Sequence, residues 1–263
     1  MKAKLLLDSG VPKVPPAELK EVVRDAGLEV AGEEADFGIV VGGDGRFSRY
    51  GRTEDIPLLF VGVRSKGAAG SRAQMAQVAY EELPQCLGRI RRGEYSIDEH
   101  RRLGVFKNRK LIDEVFTDVY LQRGSESTCI RYRVVVSGPG VSIREAAIGD
   151  GVVIAAQAGA SGYYSYPDRI KGELMEPLSF ASIGKNEVGV CHIAPTFTER
   201  EGAGVHPLRY RVPWGSTIKL SLFREADARL YGASDGPAGV RVGLGDSVTV
   251  RAGKKVTRLI SFR

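Results

Sequence analysis

The sequence is poor in cysteine and histidine and has no long apolar run, and each of these shortages excludes a class of protein. Its three cysteines are odd in number and widely spaced, which suits reduced thiols better than a disulfide framework or a zinc site. Cys191 and His192 are adjacent and therefore lack the spacing of metal ligands. No stretch reaches the roughly 18 apolar residues that a membrane helix needs, and Met1–Leu7 is too short for a signal peptide. We therefore expect a cytoplasmic protein without a membrane partner.

The excess of basic residues is modest, with 38 lysines and arginines against 32 aspartates and glutamates and a net charge of +6. Cations cluster at Arg89–Arg92 and His100–Arg102, but acidic residues are interleaved along the chain. Because no nucleic-acid-binding motif or aromatic platform accompanies these clusters, we do not expect a nucleic-acid partner. Attraction for a small polyphosphate ligand accounts for the same sign of charge.

The run Gly42-Gly43-Asp44-Gly45 follows an apolar segment, Phe37–Val41, that reads as a buried strand. A strand that ends in three glycines exposes backbone amides, and such amides suit phosphate oxygens. Asp44 is the lone carboxylate of this turn, where it could accept a proton from an attacking hydroxyl group or hold a magnesium ion. The alternative is an ordinary strand-to-helix turn in which Asp44 caps the helix.

Up to about residue 92 the chain alternates strand and helix patterns, which predicts a parallel sheet with helices packed on it. We expect strands at Lys4–Leu7, Leu28–Val30, Phe37–Val41 and Ile56–Val63, and helices at Ala17–Ala26 and Arg72–Leu83. A second glycine-rich loop, which contains Arg64, follows the fourth of these strands. Ligands of such sheets bind at the carboxyl ends of the strands, and both glycine-rich loops lie at such ends.

After residue 93 polar and apolar residues alternate between glycine-centred turns, which predicts an all-β domain of two packed sheets. We therefore expect an α/β domain over residues 1–92 and a β-sandwich over residues 93–263. Within the second domain, Asp150-Gly151 precedes a run of small residues that begins at Ala156. This run leaves its backbone open to a ligand, or it forms a bulge or corner of a sheet.

Taken together, these segments resemble the NAD kinase family, within the superfamily that includes diacylglycerol-type lipid kinases. The resemblance covers almost the whole chain and rests on the order and spacing of several short motifs. These are Gly42-Gly43-Asp44-Gly45, Gly62-Val63, Asp113-Glu114, Asp150-Gly151, the run Gln157–Tyr163, and a strand pair around Asp235-Gly236 and Gly245-Asp246.

The resemblance implies an N-terminal Rossmann-like α/β domain, a C-terminal β-sandwich and an active site in the crevice between them. It implies that a homodimer or homotetramer transfers the γ-phosphoryl group of ATP, or of polyphosphate, to the adenosine ribose 2′-hydroxyl of NAD, with Mg²⁺ bound through nucleotide phosphates. Asp44 would orient or deprotonate that hydroxyl group. The phosphates would contact Gly42, Gly43, Gly45, Arg46 and Arg64, and the dinucleotide would contact Asp113, Glu114, Asp150, Ala158, Gly159, Ala160, Ser161 and Tyr163.

Several of these positions depart from the family pattern. Arg46 stands in place of threonine, Arg64 and Asp113 each stand in place of asparagine, and Ala158 and Ala160 replace hydroxyl residues. The two arginines would favour a more anionic ligand than NAD, since each can grip a phosphate group in fork geometry. Alternatively, they pair with neighbouring acids on a solvated surface.

Three functions remain open at this stage. The first is a kinase that acts on NAD, and the second is a kinase of another hydroxyl substrate, such as a lipid, a polyol or a different nucleotide. The third is a non-catalytic protein that senses NADP or another phosphorylated nucleotide. Asp44 favours an enzyme, because a sensor of anions gains nothing from a carboxylate beside the phosphates.

Overall fold

The computed structural model describes residues 1–7, 14–63, 73–170, 183–202, 207–234, 236 and 238–262. The chain forms two compact units: an N-terminal unit of Met1–His100 with Val256–Arg263, and a C-terminal unit of Arg101–Lys255. The predicted division between residues 92 and 93 therefore needs correction. Two long strands, β6 (Ser96–Lys107) and β18 (Val248–Ser261), each begin in one unit and end in the other. Alternation in a sequence reveals such strands but does not reveal their partners.

The N-terminal unit is built on a parallel sheet. Its elements are β1 (Lys2–Leu6), α1 (Pro16–Asp25), β2 (Glu29–Val30), β3 (Phe37–Gly42), α2 (Asp44–Thr53), β4 (Leu58–Gly62), β5 (Val78–Ala79) and α3 (Leu83–Arg91). The strands follow the order β2-β1-β3-β4-β5 and all pair in parallel, and the end of β18 also pairs with β4. Strands β3 and β4 are buried along their whole length, as expected of strands covered on both faces.

The predicted meeting of the two glycine-rich strand ends is confirmed. Gly42, the last residue of β3, pairs with Gly62, the last residue of β4. Arg64 and the rest of the second glycine-rich loop up to residue 72 lie outside the described residues, as does Asp235.

The helix predicted over residues 72–83 is wrong. Val78 and Ala79 instead form β5, which pairs with Val61 and Gly62 of β4, and the helix begins at Leu83. The helical spacing of apolar residues in this segment is overridden because Val78 is buried by joining the sheet.

The C-terminal unit is an antiparallel β-sandwich. Its further strands are β7 (Lys110–Val115), β8 (Asp118–Arg123), β9 (Ile130–Gly138), β10 (Val141–Gly149), β11 (Gly151–Ala155), β12 (Glu187–Ile193), β13 (Phe197–Arg200), β14 (Arg209–Pro213), β15 (Thr217–Leu222), β16 (Ala228–Tyr231) and β17 (Val240–Val242), with one short helix, α4 (Tyr166–Ile170). Within this unit, one sheet contains the order β13-β10-β9-β15-β18 and the other has the order β14-β12-β11-β8-β16-β17. The predicted fold class, α/β followed by a β-sandwich, is confirmed.

The sandwich core consists of the inward side chains of both sheets. In β9, for example, Tyr132, Val134 and Val136 are buried, whereas Arg133 between them is exposed. Valine, isoleucine and leucine from the second sheet, such as Leu121 of β8, complete the same cluster. This inward and outward alternation explains why the strand pattern was readable in the sequence. Among the described residues, no helix has the length and apolarity to cross a membrane.

Candidate active site

The Gly-Gly-Asp-Gly segment forms the turn between β3 and helix α2. Gly43 is the N-cap, and its carbonyl oxygen accepts the N–H groups of Arg46 (3.0 Å) and Phe47 (3.2 Å). Asp44 is the first helical residue, and no side chain caps the helix. The alternative in which Asp44 caps the helix is therefore wrong. The Asp44 side chain stands at the positive end of the helix dipole, where a carboxylate is favoured.

The carboxylate of Asp44 is held by a backbone amide from another part of the unit. Its Oδ1 accepts the N–H of Met75 at 2.9 Å. The segment that carries Met75 packs against Gly62 so closely that a Cβ on Gly62 would lie 2.8 Å from the Cβ of Ala76. The side chain of Gln77 also donates to the Met75 carbonyl at 3.2 Å. Gly62 thus permits the close approach through which Asp44 is oriented.

The start of α2 has the features of an anion site. A Cβ on Gly45 would meet no heavy atom within 4 Å among the described residues, so a ligand has room beside the backbone there. The first amides of a helix lack intrahelical partners and carry partial positive charge. Arg46 folds back towards the sheet, and its Nη1 donates to the Val41 carbonyl at 3.1 Å. The guanidinium group therefore adds positive charge at the base of the turn.

A second turn lies in the C-terminal unit, where β11 ends beside the start of β8. Two short 3₁₀ segments, Gln157–Gly159 and Tyr163–Ser165, form this turn. It rests on Thr117, whose carbonyl oxygen accepts the Ala156 N–H at 2.7 Å. A Cβ on Gly159 would lie 2.4 Å from the same carbonyl oxygen, so only glycine fits at this position. The run Ala158–Tyr163 is therefore anchored on the residues just before β8.

Asp118, the first residue of β8, is the functional candidate that the sequence analysis missed. Its carboxylate accepts hydrogen bonds from the Thr117 hydroxyl group (3.2 Å) and from the backbone of Tyr163. Burial raises the pKa of Asp118 to about 6, although these two hydrogen bonds oppose the shift. A signal was present in the sequence, because the polar pair Thr117-Asp118 interrupts the alternating pattern between β7 and β8.

Tyrosine side chains surround this second turn. Tyr120 makes an edge contact with Tyr163 at 5.2 Å between ring centroids and stacks on Tyr231 at 5.4 Å. Tyr163 also contacts Tyr166 at 6.0 Å. Rings grouped beside an open backbone offer a platform for a planar base.

Asp150 belongs to the same region through Tyr163. Asp150 accepts a charge-assisted hydrogen bond from Arg123 (Oδ1 to Nε, 2.8 Å). Tyr163 hydrogen-bonds to Gln122, and burial together with the negative charge of Asp150 raises the pKa of the Tyr163 hydroxyl group. The structure thus places Asp150 and Asp118 near Tyr163 of the second turn.

The comparisons with known proteins agree with this architecture. No family model matches the chain. The NAD kinase of Thermoplasma volcanium is 22% identical over 252 residues, which cover 95% of this chain and 83% of that protein. The chain is a divergent relative of the NAD kinases.

Solved structures show that the fold is also that of NAD kinases. Yeast NADH kinase complexed with NADH has a TM-score of 0.71 and 12% identity, with 100% of this chain and 83% of that chain covered. The NAD kinase from Archaeoglobus fulgidus in complex with ATP has a TM-score of 0.65 and 18% identity, with coverages of 100% and 94%. At these identities the likeness shows the fold alone.

The pair Asp113-Glu114, which was expected to match the NAD kinase Asn-Glu motif, lies elsewhere. Both residues are in β7, which belongs to the other sheet of the sandwich from β8 and β11. Asp113 accepts the N–H of Glu114 (2.7 Å), and the Glu114 carboxylate accepts the N–H groups of Lys254 and Lys255 at 2.6–3.0 Å. Glu114 also lines a separate cavity of about 560 Å³. The prediction that Asp113 and Glu114 join Ala158–Tyr163 therefore needs correction, and Thr117 and Asp118 take that place.

A buried polar network lies under the Asp150 turn of this NAD kinase relative. The Glu145 carboxylate is within hydrogen-bond distance of His192 Nε2 (3.1 Å), the Tyr210 hydroxyl (2.7 Å) and Arg200 Nε (2.9 Å). Burial alone would raise the pKa of Glu145, but the hydrogen bonds from these three residues outweigh it and lower the pKa. Tyr132 continues the network: its hydroxyl lies 2.8 Å from His192 Nδ1 and donates to a backbone carbonyl next to Asp150.

The described residues contain no cluster of three or more histidine, cysteine, aspartate or glutamate side chains that could hold a metal ion. Burial raises the pKa of the Cys191 thiol to about 12, so that this sulfur atom is not the thiolate that a metal ion requires. His192 uses both ring nitrogens within the network around Glu145.

Proposed function

We propose that the protein transfers the γ-phosphoryl group of ATP to the 2′-hydroxyl of the adenosine ribose of NAD. The observation that carries this proposal is the turn between β3 and α2, which combines an open helix N-terminus with one oriented carboxylate. Phosphoryl transfer requires mainly positioning and neutralisation of charge, and this turn supplies both. The likeness to NAD kinases selects NAD as the acceptor.

In this proposal the amides at the start of α2 bind phosphate oxygens, and the open space at Gly45 admits them. Asp44 orients the attacking hydroxyl group and accepts its proton. The Met75 amide fixes the rotamer of Asp44, which reduces the reorganisation needed in the transition state. The guanidinium group of Arg46, which is hydrogen-bonded to the Val41 carbonyl, adds positive charge near the turn.

The dinucleotide is bound by the second turn, in the C-terminal unit. Ala158 and Ala160 are small and only partly buried, Gly159 packs against Thr117, and Tyr163 with Tyr120 offers ring faces for a base. Burial raises the pKa of Asp118 to about 6, so at a pH near 6 its carboxyl group is present in both protonation states. It can therefore donate a hydrogen bond to a polar group of the nucleotide or accept one from it. The homodimeric or homotetrameric state and the site between the two domains, which the family resemblance implies, stay predictions.

Magnesium fits this proposal as a companion of ATP. Mg²⁺ is commonly held by one or two carboxylates together with substrate phosphates rather than by a cage of protein ligands. Because Asp44 accepts the proton in this proposal, the nucleotide phosphates would hold the ion. When bound, Mg²⁺ would neutralise charge on the phosphates.

The other two functions raised from the sequence are not favoured. The sensor depended on Arg46 and Arg64 gripping a phosphate group; Nη1 of Arg46 is hydrogen-bonded to the Val41 carbonyl, and Arg64 lies outside the described residues. The second function, a kinase of a lipid, a polyol or another hydroxyl compound, rested on departures from the family pattern at positions expected to bind the acceptor. The relatives found are NAD kinases, which favours NAD as the acceptor.

The test is transfer of labelled phosphate from ATP to NAD in the presence of Mg²⁺. We expect the wild type to form NADP and Asp44→Asn to lower kcat by about 100-fold or more, the usual size of a general-base contribution. Asp25→Asn, which removes an exposed carboxylate at the end of α1, is the matched control and should keep the wild-type rate. Equal rates for wild type and Asp44→Asn would refute the role of Asp44. Tight binding of NADP without any transfer would support the sensor.

A further inference from the structure

The outer face of the five-stranded sheet β13-β10-β9-β15-β18 in the C-terminal unit is basic. Its cations come from four strands: Arg131 and Arg133 in β9, Arg144 in β10, Lys219 in β15 and Arg251 in β18. Four of them are exposed, and Arg131 is half-exposed. The function proposed above leaves this face unused.

The strand registers place these cations in an ordered array. Arg144 of β10 and Lys219 of β15 both pair with Val135, so they flank it in one row, about 10 Å apart across two strand spacings. Arg133 and Arg131 follow along β9 on the same face, about 7 Å apart. The cations therefore form a continuous patch, not scattered surface charges.

Acidic side chains neutralise only part of this array. Within the described residues, none of the five cations forms an ion pair, and two acids adjoin these rows: Glu199 on the edge strand β13, and Glu201 just beyond it, whose backbone N–H bonds to the Arg144 carbonyl. Two of the guanidinium groups lie over aromatic rings instead, Arg133 over Phe223 at 5.4 Å and Arg251 over Phe106 at 4.5 Å. The array thus keeps more cations than acids, and this excess of positive charge is available to an anionic partner.

Aromatic and apolar side chains lie in the row at one end of the array. Ile148 pairs with both Phe197 and Arg131, and the backbone of Phe223 bonds to Arg131 on the other side. Phe197 is 50% exposed. Small residues such as Ala146 and Ser221 flank Arg133, so this part of the face stays open and flat.

We propose that this face binds single-stranded nucleic acid. Proteins that bind single strands without sequence preference combine a cationic track for phosphates with exposed rings on which bases stack, often on a sheet surface. A flat sheet cannot enter the groove of a duplex, which needs a protruding helix or ribbon. Pairing of this face with a second copy of itself would bring like charges together and is therefore unfavourable. No nucleic-acid partner was expected from the sequence, because no binding motif or aromatic platform accompanies its basic clusters. The cations of this face are spread over about 120 positions, and only strand pairing brings them together.

The experiment is a fluorescence-anisotropy titration of the full-length protein with a labelled 20-nucleotide oligo(dT) at several salt concentrations. We expect log Kd to change with log salt with a slope of about 3.5, since five phosphate contacts each contribute about 0.7. Arg131→Gln/Arg133→Gln should weaken binding about tenfold at low salt and reduce the slope to about 2. Saturating ATP and NAD should leave binding unchanged, because the nucleotide turns belong to other elements.

A matched control removes two exposed cations from helix α1, Lys20→Gln/Arg24→Gln, and should bind as the wild type does. If Arg131→Gln/Arg133→Gln fails to fold by circular dichroism, Arg144→Gln/Lys219→Gln tests the same array. The proposal is overturned if the wild type does not bind oligo(dT) at 50 mM salt, if both charge variants bind like the control, or if inorganic polyphosphate binds while the oligonucleotide does not.

Discussion

Asp44 in the N-terminal unit and Asp118 in the C-terminal unit are both held beside glycine-rich turns, but their surroundings differ. Asp44 stands at the start of a helix, with an open space beside the following residue and one backbone amide on its Oδ1. Asp118 lies among packed residues, and its burial raises the pKa to about 6. The first setting suits a carboxylate that reacts as an anion, and the second suits one that binds a polar ligand in either protonation state.

The two turns also differ in what supports them. The turn at Gly42–Gly45 depends on a short segment around Met75 that packs on Gly62. The second turn rests on the Thr117 carbonyl, and the Asp150 turn lies on a buried network centred on Glu145. In the proposed function, the turn with Asp44 therefore offers one oriented group with space beside it, whereas the second turn offers a rigid backbone for binding.

The largest expected effect comes from disrupting the buried Glu145 network of the C-terminal unit. Glu145→Ala leaves Arg200 and His192 without their carboxylate in a buried setting and should lower the free energy of unfolding by about 3–5 kcal/mol. Urea denaturation followed by circular dichroism measures this change. Glu199→Ala on an adjacent strand removes an exposed carboxylate and should change stability by less than about 0.5 kcal/mol. Equal effects of the two variants would show that the network does not support the unit.

The next largest effect comes from disrupting the packing that holds Met75 beside Asp44. In Gly62→Ala the new Cβ would lie 2.8 Å from that of Ala76 and push away the segment that carries Met75. We expect a loss of about 1–3 kcal/mol in stability, typical of overpacking, and a fall in kcat of about tenfold because Asp44 loses its orientation. Gly32→Ala is the control, since a Cβ there meets no described atom within 4 Å. Wild-type kcat in Gly62→Ala would contradict the orienting role of this contact.

The smallest expected effect is a change in how stability depends on pH, which tests whether Asp118 differs from Asp44 as described above. The folded pKa of Asp118, about 6, lies above the unfolded value of about 3.9. Between these values the folded state binds more protons, so its contribution to stability falls as pH rises from about 4 to about 6. Asp118→Asn should remove this dependence, a difference of about 1–2 kcal/mol, measured by urea denaturation at pH 4 and pH 7. Parallel pH profiles for wild type and variant would show that Asp118 is not perturbed.

Much of the N-terminal unit was readable from the chain because its signals are local. An apolar run followed by Gly42-Gly43-Asp44-Gly45 predicted both the strand and the turn, and the rule for parallel sheets predicted that Gly42 and Gly62 meet. The segment at residues 72–83 was misread because the helical spacing of Val78 and Ala79 also fits a strand that is buried by pairing with β4.

The C-terminal site was predicted less completely. Asp113-Glu114 and Thr117-Asp118 are both polar pairs at the ends of alternating runs, and the sequence does not say which pair meets Ala158–Tyr163. The pairing of Ala155 with Asp118 decides it. Glu145, His192 and Arg200 came together in the same way, across strands distant in sequence.

The sequence by itself determined the fold class, the Gly-Gly-Asp-Gly turn with Asp44 and the likeness to NAD kinases, because glycine positions, capping and alternation act over a few residues. Only the tertiary structure decided which carboxylate accompanies the second turn, where the units divide, and that separate arginines share one basic face. These outcomes depend on strand pairing and register. Pairing joins residues far apart in the chain, and its free energy comes from contacts that no local pattern records.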